Sequence, residues 1–356
     1  MKFRIFLVVA SCVVSLITGF VISRSGSSTE TVGARAKPLI GLSMDTLKEE
    51  RWQGDRDLFV TRARGLGADV LVQSANSDDT RQTSDVQALI SRRVDVLVIV
   101  PHNGAAMAKA VNMAHDAGIP VLAYDRLITD CDLDLYMTFD NEKVGELQAQ
   151  FLVDHLPKER QKKIVRIYGA KTDNNALLYK RGQDKVLTPL IKKGEIEVVH
   201  EDWTQDWRPE NAKKIASAAI TKAGANFDAI LASNDGTAGG AIQALSEEGL
   251  AGKILVTGQD AELSACQRIV NGMQAMTIYK PLSQLAKQAV EAATKMAKRK
   301  PVFALSKIDN GKIEVPSILL DVVVVTKENM MDTVVKDGFH KAAEVYRSLP
   351  AAQQSD

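Results

Sequence analysis

Cysteine is scarce in this 356-residue chain, which has only Cys12, Cys131 and Cys266. Three scattered thiols exclude a disulfide framework, and Cys131 and Cys266 read as free, partly buried side chains. The five histidines (102, 115, 155, 200 and 340) are dispersed, with no HxxxH or CxxC spacing, so no structural metal is expected. Excess charge is lacking as well. The formal net charge is +1, which leaves no basic stripe for a nucleic acid and no general attraction to an anionic membrane. A phosphate-binding loop is also missing. Gly236, Gly239 and Gly240 follow Asn234-Asp235 in neither the GxGxxG nor the P-loop spacing, and no cofactor is expected.

What is present is an ordinary globular composition, 45% hydrophobic and 25% charged, in a chain long enough for two domains. Lys2 and Arg4 precede an apolar run from Ile5 to Ile22. That run is long for a signal core and just long enough to span a bilayer, and the leading charges would send the rest outside the cytoplasm. Residues 23–38, rich in Ser, Gly and Thr, read as a flexible tether. Cleavage at Ala34-Arg35-Ala36 or lipidation at Cys12 are the alternatives to a retained anchor, and all three deliver the same extracytoplasmic body. Residues 1–37 are therefore taken as anchor or signal plus tether, and 350–356 as a disordered tail.

From Pro38 onward, short β-branched runs alternate with helical segments, the pattern of βαβ units on a parallel sheet. Buried strands are expected over 39–44, 70–73, 94–100 and 121–124, with helices over 56–66, 85–91 and 105–117. The pattern restarts at 136–139, with a helix over 141–156 and strands over 164–168, 196–199, 229–232 and 254–257. The runs Asp95-Val-Leu-Val-Ile-Val and Asp228-Ala-Ile-Leu-Ala-Ser hold corresponding places in the two halves. A weak duplication of a doubly wound unit follows. A long helix over 281–298, a strand over 321–325 and a last helix over 327–336 close the pattern.

In open parallel sheets, ligands sit at the carboxyl ends of the strands, where loops and helix N-termini converge. Those ends carry Asp45, Lys48-Glu-Glu-Arg51-Trp52, Tyr124-Asp125-Arg126, Lys171-Thr-Asp173-Asn174-Asn175, Trp203-Thr-Gln-Asp206-Trp207, Ser233-Asn234-Asp235, Gly258-Gln259-Asp260 and Tyr279-Lys280-Pro281. Planar amides, carboxylates and guanidiniums suit hydroxyls that both donate and accept, and Trp52 and Trp207 could stack on the apolar faces of a sugar. Each residue also has a plain structural reading. Asp173, Asn175, Asn234 and Asp235 could be helix caps, Lys48 and Arg51 solvated charges, and Trp52, Trp203 and Trp207 packing. Only Trp203 is left to that reading, because so many planar groups at the same end of two sheets exceed what capping needs.

Several of these stretches are shared with a known group. They include Glu50-Arg51-Trp52-Gln53-x-Asp55-Arg56-Asp57, Val72-Gln73-Ser74-Ala75-Asn76, Leu122-Ala123-Tyr124-Asp125-Arg126 and Phe139-Asp140-Asn141-Glu142-Lys143-Val144-Gly145. Asp173-Asn174-Asn175, Ala232-Ser233-Asn234-Asp235, Gly258-Gln259-Asp260, Tyr279-Lys280-Pro281 and Lys336-Asp337-Gly338-Phe339-His340 continue the likeness. From Pro38 to His340 the chain resembles the ABC-transporter sugar receptors, within them the bacterial D-xylose-binding proteins. The resemblance implies the type I periplasmic-binding-protein fold, an α/β architecture of two doubly wound parallel-sheet lobes joined by a three-strand hinge. It implies lobes of 38–139 with 281–320 and of 140–280 with 321–349. Carried onto matching positions, the sugar contacts are Arg51, Trp52, Asp125 and Arg126, with Lys48 beside them, and then Asp173, Asn175, Trp207, Asn234, Asp260 and Lys280. The retained-looking N-terminus and a long basic stretch over 158–163 depart from the family pattern.

The expected function is an extracytoplasmic receptor, monomeric in its body, that closes on D-xylose and hands it to an ABC permease. A sensor reporting to a histidine kinase or chemoreceptor is the first alternative. A sugar hydrolase using Asp125 and Asp260 is the remote one, since binding alone explains the polar residues and no nucleophile elbow or metal site appears. A transcription regulator is disfavoured, because an apolar segment stands where a helix-turn-helix would be.

Overall fold

The computed structural model describes residues 37–349, so the apolar run, most of the tether and the tail lie outside the described residues. Strand β1 (Leu39–Met44) leads into α1 (Glu50–Gly65), followed by β2 (Asp69–Ser74), α2 (Asp79–Ser91), β3 (Val96–Ile99), α3 (Ala108–Asp116), β4 (Val121–Tyr124) and β5 (Leu135–Phe139). The second series runs α4 (Asn141–His155), β6 (Lys162–Tyr168), α5 (Asn174–Lys192), β7 (Ile196–Trp203), α6 (Pro209–Ala223), β8 (Ala229–Ala232), α7 (Asp235–Glu247), β9 (Leu255–Val256), α8 (Leu263–Val270) and β10 (Thr277–Tyr279). Helix α9 (Leu282–Ala297), strands β11 (Ser306–Asp309), β12 (Glu314–Leu320) and β13 (Val323–Val325), and the short α10 (Ala342–Val345) complete the chain.

Seven strands form one sheet in the order β11-β12-β5-β4-β3-β1-β2, parallel except for β11 against β12. Its central strands are buried and mostly apolar because both faces are covered. In β3, Val96 and Val98 pack toward Phe59, Ala63, Leu285 and Ala289, while Leu97 and Ile99 pack toward Val86, Leu89, Val111 and Ala114. Each such side chain contributes about 1.5–3 kcal/mol by leaving water. Strand β2 departs from the expected buried strand. It lies at the sheet edge with one neighbour, and its residues are exposed or half-buried.

A second sheet has the order β7-β6-β8-β9, all parallel, with α4 and α5 on one face and α6 and α7 on the other. The duplication suggested by the Asp95 and Asp228 runs has a physical counterpart. The Asp95 carboxylate accepts from the Leu39 N–H at 2.7 Å, and the Asp228 carboxylate from the Lys163 N–H at 2.8 Å. Each aspartate thereby ties the start of its strand to the neighbouring central strand. Helices α4 and α5 touch backbone to backbone at Gly145 and Gly182. A Cβ on Gly182 would fall 1.9 Å from the Glu142 carbonyl oxygen, and one on Gly145 would fall 2.0 Å from that of Tyr179.

The chain passes between the two sheets after β5, after β10 and after β12. The first and third passages are joined by the Asp140 N–H donating to the Leu320 carbonyl at 3.0 Å, and β10 pairs antiparallel with β13. Three expectations need correction here. Helix α1 begins at Glu50, six residues before the expected bound of 56 but within the segment 48–52 read as helix-opening. The expected strand over 321–325 is the shorter β13, and the hairpin β11–β12 precedes it. The expected helix over 327–336 is a turn followed by one π-helical turn over Met331–Val335.

Candidate functional site

The carboxyl ends of both sheets face a common cavity. Its wall includes Arg51, Trp52, Asp125, Arg126, Asp173, Asn175, Trp207, Asn234 and Asp260. Nine of the eleven residues expected from sequence are thus brought to one wall. Their side chains come from segments as far apart in the chain as Arg51 and Asp260.

Two guanidiniums organise the site. Arg51, in the first turn of α1, donates through Nε to Asp55 and through Nη1 to Asp260, each at 3.2 Å, and its Nη2 meets Asp125. Arg126, just beyond β4, pairs with Asp45 at 2.7 Å and with Asp173 at 2.8 Å. Each arginine therefore spans from the seven-stranded sheet to a carboxylate at the end of the four-stranded one. Charge-assisted pairs of this kind fix direction as well as energy. Both guanidiniums also lie over the Trp52 ring, at 4.4 Å and 5.0 Å from its centroid.

Burial works against the charge of Arg51, yet Asp125, Asp260 and Asp55 hold its pKa well above the ordinary value. Burial pushes Asp125 up, but Arg51 and Lys280 outweigh it and keep the carboxyl below its usual range. For Asp55 burial wins, and its pKa is pushed up to about 6. Asp173 also moves upward by burial, against the pull of Arg126. With Asp125 and Asp260 both bound to one arginine, neither is placed as a proton donor for glycosidic cleavage.

Asp173 and Asn234 carry both roles weighed for them. The Asp173 carboxylate caps α5 by accepting from the Asn175 N–H at 2.9 Å, and its second oxygen accepts from the indole N–H of Trp207 at 3.2 Å. Asn234 caps α7 in a reciprocal capping box with Thr237 while lining the cavity. Asn175 reaches across to Asp125 Oδ1 at 3.0 Å and accepts from Asn141 at 2.9 Å. Asp125 and Asp260 have φ of 65° and 95°, values that non-glycine residues rarely adopt and that concentrate at binding sites. Each is held there by its N–H, which donates to the Met137 and Ile278 carbonyls at 2.7 and 2.8 Å. Trp207 itself has φ 57°, and its ring lies over Gly169, where a Cβ would fall 2.0 Å from Cη2.

The remaining two expected residues sit elsewhere. Lys280 is fully buried behind the wall, where Nζ donates to the Tyr179 hydroxyl at 3.0 Å and lies 3.5 Å from Asp260. Burial lowers its pKa against the pull of Asp260. Lys48 is exposed and faces a separate outer chamber of about 570 Å³. Trp203 packs against Tyr168 in a tilted ring pair, with centroids 4.8 Å apart, in keeping with a packing role. Three residues beyond those expected, Glu49, Tyr179 and Gln259, also line the cavity. Glu49 and Gln259 adjoin expected positions, whereas Tyr179 lies mid-helix in α5 with no local signal. Both Cys131 and Cys266 are free and buried, and neither lines this cavity.

Four carboxylates face two guanidiniums around the cavity, so an anionic ligand would be repelled. Paired planar donors and acceptors with two indoles suit a neutral polyol. Residues 40–301 match the family described as Periplasmic binding protein domain. The chain is 50% identical over 314 residues to the D-xylose-binding periplasmic protein of Haemophilus influenzae, covering 88% of this chain and 94% of that one. It is equally identical, over 315 residues and with the same shares covered, to the protein of that name from Escherichia coli. A carbohydrate transporter solute binding protein from Chloroflexus aurantiacus, solved in complex with D-glucose, matches with a TM-score of 0.81 at 34% identity, covering 86% of this chain and 97% of that one. The chain belongs to the periplasmic-binding-protein family, with the type I fold of the extracytoplasmic sugar receptors of ABC transport, and it is a binding protein rather than an enzyme.

Proposed function

We propose that this protein is a D-xylose receptor that closes on the sugar and delivers it to an ABC permease. The observation that carries the reading is the pair of bridging arginines. Arg51 and Arg126 reach from one sheet to Asp260 and Asp173 of the other, beside the Trp207 ring. A sugar among these groups touches both lobes only when they are closed, and that difference in contacts is what shifts the population. Hinge closure around a ligand is the motion characteristic of periplasmic binding proteins as a class. The moving bodies are residues 38–139 with 281–320 and residues 140–280 with 321–349. The 50% identity to two D-xylose-binding periplasmic proteins supports the choice of pentose.

D-xylose is expected to bind with a Kd near 1 μM, about −8 kcal/mol. Glucose, with its extra hydroxymethyl group, is expected to bind more weakly. Calorimetry of the full-length chain against pentoses and hexoses reads both. A melting temperature unmoved by every pentose at millimolar concentration would refute the receptor reading.

We also take the apolar run from Ile5 to Ile22 as an anchor that keeps the body beside its permease, where tethering raises the effective concentration. Intact-mass measurement on the membrane fraction should find the full chain. A soluble species beginning at Lys37 or a lipidated Cys12 would reject the anchor, and co-purification with a kinase instead of a permease would reassign the partner.

A further inference from the structure

Glu49 occupies the N-cap position of α1 with extended backbone, yet its side chain makes no capping hydrogen bond. Short side chains serve that position because they reach back to the helix N–H groups. The glutamate turns elsewhere. Glu49 and Trp207 are the two residues that line both the inner cavity and the outer chamber, so together they form the wall between them. Glu49 Oε2 is buried and has no hydrogen-bond partner among the described residues. An acceptor in that state is destabilising unless a donor arrives from outside the protein.

The outer chamber, about 570 Å³, is lined by Lys48, Glu50, Arg208, Glu210 and Lys214 among others, and has room for a second sugar ring. Space beyond the wall therefore does not restrict the ligand. The wall does. We propose that Glu49 is a specificity-determining residue: it accepts a hydrogen bond from the sugar hydroxyl directed at the cleft mouth and excludes ligands in which that hydroxyl carries a substituent. The proposal rests on the receptor reading above. It makes the ligand class the free monosaccharide as against its ethers and glycosides, because a substituted oxygen has no proton to give Oε2. The substituent would also have to pass between the carboxylate and the Trp207 ring. Burial already pushes the Glu49 carboxyl above its ordinary pKa, with its own backbone N–H and Arg126 opposing, as expected of a carboxylate short of donors.

The test is calorimetry of the full-length chain with D-xylose and with the four D-xylopyranoses methylated singly at each hydroxyl. Wild type should reject the derivative whose methyl group meets Glu49. In Glu49→Ala, affinity for D-xylose should fall about tenfold while that one derivative gains, so that their ratio shifts about thirtyfold or more. Glu49→Gln keeps the length and an acceptor oxygen, and should retain both the affinity and the discrimination. Melting temperatures without sugar report whether each variant is folded. Should Glu49→Ala not fold, a Glu49→Gln that binds every derivative as tightly as D-xylose would overturn the proposal. So would a Glu49→Ala in which no derivative gains relative to D-xylose. A wild type that binds no D-xylose at all would instead strike the receptor reading.

Discussion

Arg51→Ala is expected to abolish sugar binding at millimolar concentration and to destabilise the folded chain by about 3–5 kcal/mol, the usual cost of removing one partner from a buried ion network. The size follows from what is left behind. Asp55, Asp125 and Asp260 all lose the same guanidinium, and all three are buried. Arg51→Lys should rescue little, because an ammonium has no planar fork to serve three carboxylates at once. Denaturant midpoints and calorimetry check both effects.

The pH dependence adds a signature. In the wild type the Asp125 pKa lies below its unfolded value, so its contribution is present above the unfolded pKa and is lost as pH falls through the folded one. Asp55, raised to about 6, has the opposite sign: the folded state binds its proton more tightly, and that contribution fades as pH rises from about 4 through about 6. Without Arg51, only Lys280, Arg126 and the Asn175 amide still oppose burial at Asp125, so its pKa should move upward and its stabilising contribution at neutral pH should shrink. The destabilisation of Arg51→Ala should therefore be smaller near pH 5 than near pH 8. A variant equally destabilised at both would show that the network is not electrostatic in the way its geometry suggests.

Trp207→Ala should be nearly as damaging. The ring packs with Val144, Ala176, Tyr179, Met276 and Ile278, and its truncation should destabilise the fold by about 3–5 kcal/mol. Binding should also weaken by about 1–3 kcal/mol through lost contact area on the sugar face, stacking included. Trp207→Phe separates the contributions. It keeps an aromatic face but removes the N–H that meets Asp173, so stability should recover more than affinity. Unchanged affinity in a folded Trp207→Ala would return the residue to packing alone.

Much of this architecture is legible along the chain. Strands β1, β4 and β8 fall where the apolar runs 39–44, 121–124 and 229–232 place them, because strands buried on both faces need apolar residues at every position. The Asp and Asn residues at 78, 140, 173 and 234 cap helices as their chemistry favours. The start of α1 carries no capping signal, since Glu49 stands where a capping side chain would announce it, although it falls within the helix-opening segment 48–52. The hairpin β11–β12 is hidden by its short alternating strands and by Pro316, which pairs only toward β11. Strand β2 reads as buried because composition does not reveal whether a second neighbour exists.

The candidate site divides in the same way. That loops converge at the carboxyl ends of the strands follows from the alternating βα pattern, whereas the strand order that decides which loops are neighbours is tertiary. Which side chain of a loop faces inward is not legible either, because non-helical, non-strand backbone has no fixed side-chain period. Just before α1, Lys48 faces only the outer chamber, whereas Glu49, in extended backbone at the N-cap, also lines the cavity. Lys280 shows a second kind of limit: its charge suits the ligand, but folding buries it behind Asp260 and Tyr179. The sequence by itself determined the layered α/β fold, its duplicated halves and the polar strand ends, because these are periodic and local properties of the chain. Only the tertiary structure decided that Arg51, already beside Asp55 one turn along its own helix, also joins Asp125 and Asp260, since those two contacts depend on how separate helices and loops are aimed at one another across two sheets.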